Sequence, residues 1–422
     1  MFFSIEKRTK YDEIKDIRIM TTFGKMKTTV TIIGGGSAAI MLASQLDENK
    51  FDVSLYDRNS ALGRKFLVAG DGGFNLTHAE ETEKLINRYQ PATFFEKIIS
   101  SFSNTDLRDW LSKIGIETFI GTSNRVFPVK GIKPIDVLNA ILNELKKKNV
   151  EIKTNHFWKG WEKDELLFEE NNNIVRVKSG ITIFCLGGSS WKVTGSDGSW
   201  TNHFAERGIE IIPFQSSNCA YEVKWKDEFS SFAEGKSLKN ISIRCNASER
   251  KGELVITKFG LEGGAIYALS PQIRRQLADT GSATIFLDLK PSLTIEQIKD
   301  KFSARGNRSI KKLLVDRLNF DTIQIELLKS LLSKDDFTYL EDLALKIKKL
   351  PIIITASAPI DEAISTVGGI SLNEIDNRFQ LKKLQDNYCI GEMLDWDAPT
   401  GGYLLQACFS MGYQLAVLLN SK

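Results

Sequence analysis

Histidine is the scarcest chemistry-bearing residue of this chain. His78, His156 and His203 are the only three in 422 positions, and none has cysteine or carboxylate company at metal-ligand spacing. A histidine-rich metal centre is therefore not expected. No G-x-S-x-G stretch occurs, so the strained serine elbow that would anchor a hydrolytic triad is missing. Cysteine is sparse as well: Cys185, Cys219, Cys245, Cys389 and Cys408 are odd in number and form no C-x-x-C pair. That usage fits a reducing compartment, and a cytoplasmic protein is expected. No window reaches the roughly 18 consecutive apolar residues of a membrane span. The stretch MFFSIEKRTKYDEIKDIRIM carries charges every few residues instead of an apolar signal core. Residues 1–26 read as an extension ahead of the fold, with Met26 a candidate alternative start. Charge of one sign is lacking too. The 56 basic and 53 acidic side chains leave a net +3, which makes no case for nucleic acid by itself.

What is present is an ordinary globular composition, 42% apolar and 26% charged. The length predicts two or three domains. Thr28 to Ile33 is a β-branched run that fits a buried parallel strand. Ser37 to Leu46 then reads as a close-packed helix, and Phe51 to Tyr56 as a second strand ending at Asp57. Together they make a βαβ unit of about thirty residues. Pro134 opens a further helix, PIDVLNAILNELKKK, with Ile135, Leu138, Ile141, Leu142 and Leu145 on one stripe. Residues 151–186 alternate and break at Asn171 to Asn173, which predicts a small antiparallel meander ending in the strand ITIFCLGG. From 201 to about 290 the pattern is mixed and β-leaning. From 293 to 350 it becomes amphipathic and lysine-rich, as in IKKLLVDRL.

Gly34, Gly36 and Ala39 fill the G-x-G-x-x-G/A spacing between the first strand and the helix. The first glycine permits a tight turn, the second a close approach of backbone to a pyrophosphate, and the small third residue close helix–strand packing. Ser37 and Ala38 lie at the helix N-terminus, whose free N–H groups favour phosphate. Asp57, 23 residues after Gly34 and followed by Arg58, is placed to accept hydrogen bonds from ribose hydroxyls. The motif leaves NAD and FAD both open, with a ligand-free turn as the bland alternative.

Two further segments narrow the choice. GRKFLVAGDGGFNLTH, residues 63–78, suits a loop wrapping a polyanion or ring, with Gly63, Arg64, Lys65, Gly70, Asn75 and Thr77 as candidate contacts. At the other end, YCIGEMLDWDAPTGGYLLQ carries a strand to Gly391, an acidic cluster at Glu392, Asp395 and Asp397, then Gly401 and Gly402 opening a helix from Tyr403 and Leu404. A second glycine-led helix N-terminus can aim its dipole at the electron-rich end of a flavin, and a carboxylate before it can bind ribityl hydroxyls. Together the two glycine turns point to FAD. Trp191, Trp200 and Trp396 sit in such segments. Core packing is the commoner role for tryptophan, and Trp396, flanked by acids and a glycine pair, is the best candidate to escape it. Arg125 suits either a substrate carboxylate or phosphate or a structural salt bridge.

The chain resembles the BaiN/YhiN-type family of FAD-dependent oxidoreductases. The resemblance rests on IIGGGSAAIML, GRKFLVAGDGGFNLTH, NRVFPV, CLGGSSWKVTGSDGSW, GELVITKFGLEGGAI, STVGGISLNEI and GEMLDWDAPTGGYLLQACFSMG, in order over residues 30–416. It implies an α/β fold: a glutathione-reductase-like FAD-binding Rossmann domain (27–200 and 358–422) interrupted by a β-barrel-like cover (201–292 and 351–357) and a helical insert (293–350). It also brings Gly187 and Gly188 to the cofactor. Several positions depart from the family pattern. Gly73 and Phe74 stand where Arg-Cys is common, His78 and Leu404 where asparagine is common, and Ser190, Trp191 and Lys192 replace Ser-Tyr-Pro. Since these positions are expected near ring and substrate, an altered substrate is expected.

The resulting expectation is an FAD-dependent oxidoreductase passing hydride to an unsaturated bond or ring of a small molecule. No second G-x-G-x-x-G follows a strand, so NAD(P)H would bind only transiently as donor. Lys65, Asp397 and Tyr403 are the candidates for a catalytic acid. Two rivals remain: an RNA-modifying enzyme reducing uridine, using Lys299, Lys301, Arg305, Arg308, Lys311 and Lys312, and a non-catalytic flavin-binding protein.

Overall fold

The apolar, β-branched run Thr28–Ile33 becomes β1, the central strand of a five-stranded parallel sheet. The computed structural model describes residues 27–68, 74–303 and 306–422. β1 pairs on one side with β2 (Phe51–Tyr56) and on the other with Ile181–Phe184. Glu151–Lys153 and Asn387–Cys389 form the two edges. The helix α1 (Ser37–Gln45) connects β1 to β2, with Ala38 through Ser44 all buried. Its small side chains let the C-terminal helix Tyr403–Asn420 approach closely. A Cβ on Gly412 would lie 2.5 Å from the Ala38 carbonyl oxygen, so the two helices cross where neither carries bulk.

The expected helix after residue 133 spans Pro134–Lys147, and Asp136 accepts the Lys133 N–H at 2.8 Å to close its first turn. Its buried face is Val137, Leu138, Ile141 and Leu145, whereas Ile135 in the first turn stays exposed. The meander comprises Phe157–Glu162, Glu165–Glu170 and Asn173–Val177. Its second turn is made by Asn171 and Asn172, both at positive φ, the conformation that asparagine tolerates best after glycine.

Six antiparallel strands close into a barrel in the order Tyr221–Val223, Gly260–Glu262, Ser248–Ile256, Ser237–Cys245, Ala283–Asp288 and Leu350–Ser357. Its strands start at Tyr221, not at 201. The preceding Ile211–Ser217 pairs instead with Ser365–Ile370, in a two-stranded ribbon. Between the adjacent strands Ala283–Asp288 and Leu350–Ser357 the described residues make five helices, from Ile295–Ser303 to Leu340–Lys348. Their apolar stripes (Ile298, Leu314, Leu328, Ile347) join Ile243, Leu254 and Leu287 of the barrel in one core, separate from the core around the parallel sheet. The helices therefore complete the barrel's burial. The fold is an α/β Rossmann fold with an inserted six-stranded antiparallel barrel.

Candidate functional site at the carboxyl end of the sheet

A cavity of about 920 Å³ opens where β1, β2 and Ile181–Phe184 end, the region where open α/β sheets bind ligands. Its wall begins with the glycine turn. Gly34 has φ +96°, and a Cβ there would fall against the Cys185 carbonyl oxygen, so the neighbouring strand demands this glycine. Gly36 differs. A Cβ there would meet no protein atom within 4 Å, and the residue faces the cavity. No described residue fills the place of that missing side chain, and the open space suits a ligand backed against the turn. Ser37 and Ala38 line the same wall, and α1 starts with neither a side-chain cap nor an acidic residue in its first turn. Its free N–H groups and positive dipole end therefore suit an anion. Ala39 is wholly buried and serves the close packing behind the turn.

Asp57 also lines the cavity, but part of its hydrogen-bonding capacity stays inside the protein. Oδ2 accepts the Gly35 N–H at 2.7 Å, and Oδ1 accepts the Asn59 N–H at 2.7 Å and its amide at 3.0 Å. Burial nevertheless raises the carboxyl pKa above the ordinary value, against the lowering effect of those bonds. Arg58 lies over the Phe157 ring, 4.3 Å from its centroid, and bonds Asp197 at 2.7 Å. Arg64 donates to Asn59 Oδ1 at 2.9 Å. Lys65 bridges Ser190 Oγ (2.9 Å) and Glu392 (3.0 Å).

The far wall comes from the chain's last segment. Gly391, Glu392, Gly401, Gly402 and Leu404 all line the cavity. Gly401 and Gly402 adopt φ +112° and +95°, and a Cβ on Gly402 would sit 2.6 Å from Thr77 Cα. The C-terminal helix, like α1, begins without a side-chain cap or an early acidic residue. Two helix N-termini from opposite ends of the sequence thus share one cavity. Asn75 lies between them in sequence and lines the same cavity, and its Nδ2 is buried without a hydrogen-bond partner among the described residues. An orphaned donor, a glycine with open cavity in front of it and two uncapped helix starts fit an elongated cofactor with anionic and polar parts.

Gly63 and Gly187 complete the expected residues that reach the wall. Others do not. Gly188 backs onto Thr366, and Thr77 is buried in a 2.6 Å bond to Gln406. Asp395 bonds the Gly368 N–H and borders a separate, smaller cavity of about 300 Å³. Gly70 and Gly73 lie outside the described residues. Two expected catalytic candidates are also absent from the wall. Asp397 is buried in an ion pair with Arg274 at 2.6 Å and accepts from Ser217 at 2.8 Å. Tyr403 donates to Glu80 at 2.5 Å and stacks on His78; burial and that carboxylate push its phenol pKa upward.

Trp396 packs edge-on against Phe95 with its N–H on the Gly391 carbonyl, in the core. It is Trp191 and Trp200 that line the cavity. Trp191 sits at φ +61°, a left-handed conformation that costs a bulky residue on the order of 1–3 kcal/mol. Among the departures from the family pattern, Trp191 and Leu404 face the cavity, while Phe74 and His78 pack behind it. Sequence reasoning missed Asn59, Phe157 and Lys159 altogether. The last two come from the meander, whose alternation gave no hint of a ligand.

Among the described residues no group of three or more His, Cys, Asp or Glu could hold a metal ion, and all five cysteines are free. No described helix is long and apolar enough to cross a membrane.

Residues 28–417 match the family described as HI0933-like protein Rossmann domain. The chain belongs to that family, one of FAD-dependent oxidoreductases. It is 23% identical over 408 residues to a 3-dehydro-bile acid delta(4,6)-reductase of Clostridium scindens, covering 91% of this chain and 97% of the relative. It is also 23% identical over 403 residues to a ribosomal RNA dihydrouridine synthase of Haemophilus influenzae, covering 93% and 98%. Among solved structures, a 3-ketosteroid delta1-dehydrogenase from Sterolibacterium denitrificans aligns over 94% of this chain and 100% of its own, with 10% identity and a TM-score of 0.47.

Proposed function

We propose that this HI0933-like protein binds FAD non-covalently along the cavity and reduces an unsaturated bond or ring of a small molecule, with NAD(P)H as transient donor. The observation that carries the reading is the meeting of two uncapped helix N-termini, α1 and Tyr403–Asn420, in one cavity. In this reading the turn from Gly34 to Ala38 takes the pyrophosphate, and Asp57 takes the ribose with its remaining lone pairs. Phe157 and Arg58 border the adenine. Asn75 and Glu392 serve the ribityl and ring polar atoms, and the start of the C-terminal helix faces the end of the flavin that gains negative charge on reduction. The bound flavin supplies the hydride chemistry. The chain's own residues bind, orient and keep water away.

The two relatives support reduction as the reaction type, since one is named a reductase and the other a synthase of dihydrouridine. The test is a visible spectrum of the purified protein, followed by anaerobic titration with NADH and NADPH. Flavin bands that bleach with either nucleotide are expected. A colourless protein that cannot be reconstituted would contradict the proposal.

A second reading, uridine reduction in RNA, draws on the dihydrouridine synthase relative. The basic helical face offers it only partial support. Lys299 lies 3.9 Å from Glu341 and Arg308 3.6 Å from Asp316, which neutralises part of that face. Arg305 is outside the described residues. Mass mapping of modified nucleotides in a deletion strain decides between the two. Loss of a dihydrouridine moves the reading to RNA, and an unchanged profile removes RNA.

A further inference from the structure

The cavity wall carries five lysine and arginine side chains, and four of them have partners: Arg58 with Asp197, Arg64 with Asn59, Lys65 with Glu392 and Lys159 with Glu169. The guanidinium of the fifth, Arg125, makes no hydrogen bond or ion pair with any described residue, although the residue is half-buried. A guanidinium stays charged at any accessible pH and presents five donors in a fixed fork. Leaving it partly desolvated and unpaired costs free energy that a protein ordinarily avoids.

Two glycines border the Arg125 side chain on the cavity wall, and at Gly401 the Tyr403 ring lies as near as the guanidinium does. A Cβ on Gly401 would lie 3.6 Å from its Nε, and a Cβ on Gly264 would lie 3.9 Å from its Nη2 and near nothing else. One glycine belongs to the turn that starts the C-terminal helix, the other to the barrel side of the cavity. The backbone of Arg125 is fixed by the ladder that pairs it with His78. An open fork therefore stands at the junction of the two units, beside the turn assigned to the flavin ring.

We propose that Arg125 is the docking point for an anionic oxygen group of the substrate, a carboxylate or a phosphate, which holds the reducible part of the molecule at this junction. The placement beside the ring rests on the cofactor reading given above; the capture of an anion does not. The test is isothermal calorimetry with benzoate and, separately, inorganic phosphate, on wild type, R125Q and R125K. Flavin content is read from the visible spectrum of each preparation. Saturable binding of one probe at one site per chain is expected. R125Q should bind at least about tenfold more weakly and R125K should fall between, because lysine keeps the charge and loses the fork. Which probe binds tells a carboxylate substrate from a phosphorylated one.

Equal affinity in wild type and R125Q, or no binding of either probe to wild type, overturns the proposal. If R125Q shows no thermal transition, R125K carries the comparison, and affinity equal to wild type overturns it. A wild type that takes up no FAD yet binds the anion through Arg125 sinks the cofactor reading and leaves this one standing.

Discussion

The backbone amide of Gly35 donates a 2.7 Å hydrogen bond to the Asp57 carboxylate, tying the glycine turn to the end of β2. One carboxylate thereby shapes the glycine turn and still borders the cavity. Asp57→Asn keeps the shape of the side chain but removes its charge and, in one rotamer, presents an NH2 to the Gly35 amide. FAD affinity is expected to fall by at least about tenfold, the size of a lost charge-assisted hydrogen bond. Fluorescence titration of FAD measures it; unchanged affinity would separate Asp57 from the cofactor.

The glycines of the turn make a sharper pair. Gly34→Ala forces a side chain onto the Cys185 carbonyl at positive φ, and stability should drop by on the order of 2 kcal/mol or more. Gly36→Ala points a methyl into open cavity at φ −79°, so stability should stay within about 0.5 kcal/mol while FAD affinity falls. Chemical denaturation and FAD titration of both variants read the two effects separately. A destabilised Gly36→Ala with unaltered FAD binding would show that the turn is glycine-rich for folding alone.

Asp397 attracts notice in the sequence because it stands in an acidic cluster before a glycine pair, yet its charge is spent on Arg274 and Ser217. Asp397→Asn leaves a largely buried guanidinium without its counter-charge, which should cost up to about 3 kcal/mol. The flavin spectrum and its reduction by nicotinamide should persist in whatever fraction folds. Specific loss of reduction in well-folded protein would return Asp397 to the catalytic list.

Glu80 links Arg88 (2.8 Å) and Tyr403 (2.5 Å). Burial opposes its charge, but those hydrogen bonds outweigh burial and hold the carboxyl below its ordinary pKa. A carboxyl depressed in the folded state adds stability above its unfolded value, roughly 4.3. That stability is lost as pH falls through the folded value. Glu80→Gln should therefore cost about 1–3 kcal/mol at pH 7, and its deficit against wild type should shrink below about pH 4. Denaturation curves at pH 7 and in the acid range check this; a pH-independent deficit would contradict it.

The local parts of this fold are legible in the sequence. The β-branched run before Gly34, the amphipathic stripe after Pro134 and the asparagine turn of the meander each follow from neighbours a few positions apart. The two glycine turns are legible for the same reason. What the sequence hides is long-range. Asp397 finds Arg274 only because the barrel brings the helix Ser270–Thr280 against the acidic loop. The sequence favours Trp396 over Trp191 as the tryptophan that leaves the core, and tertiary packing reverses this, with Trp396 in the core and Trp191 on the cavity wall. The barrel limits are similarly unreadable, since Ile211–Ser217 lies in the same β-leaning stretch as the barrel strands but pairs with Ser365–Ile370.

The central claim is that the turns at Gly36 and Gly402 hold opposite ends of one dinucleotide. Titration of flavin-free protein with FAD, alone and against saturating ADP, tests it most directly. One FAD per chain, displaced by ADP and bound more tightly than either ADP or riboflavin, is the predicted result. FAD binding that ADP leaves untouched, or no binding at all, would contradict it.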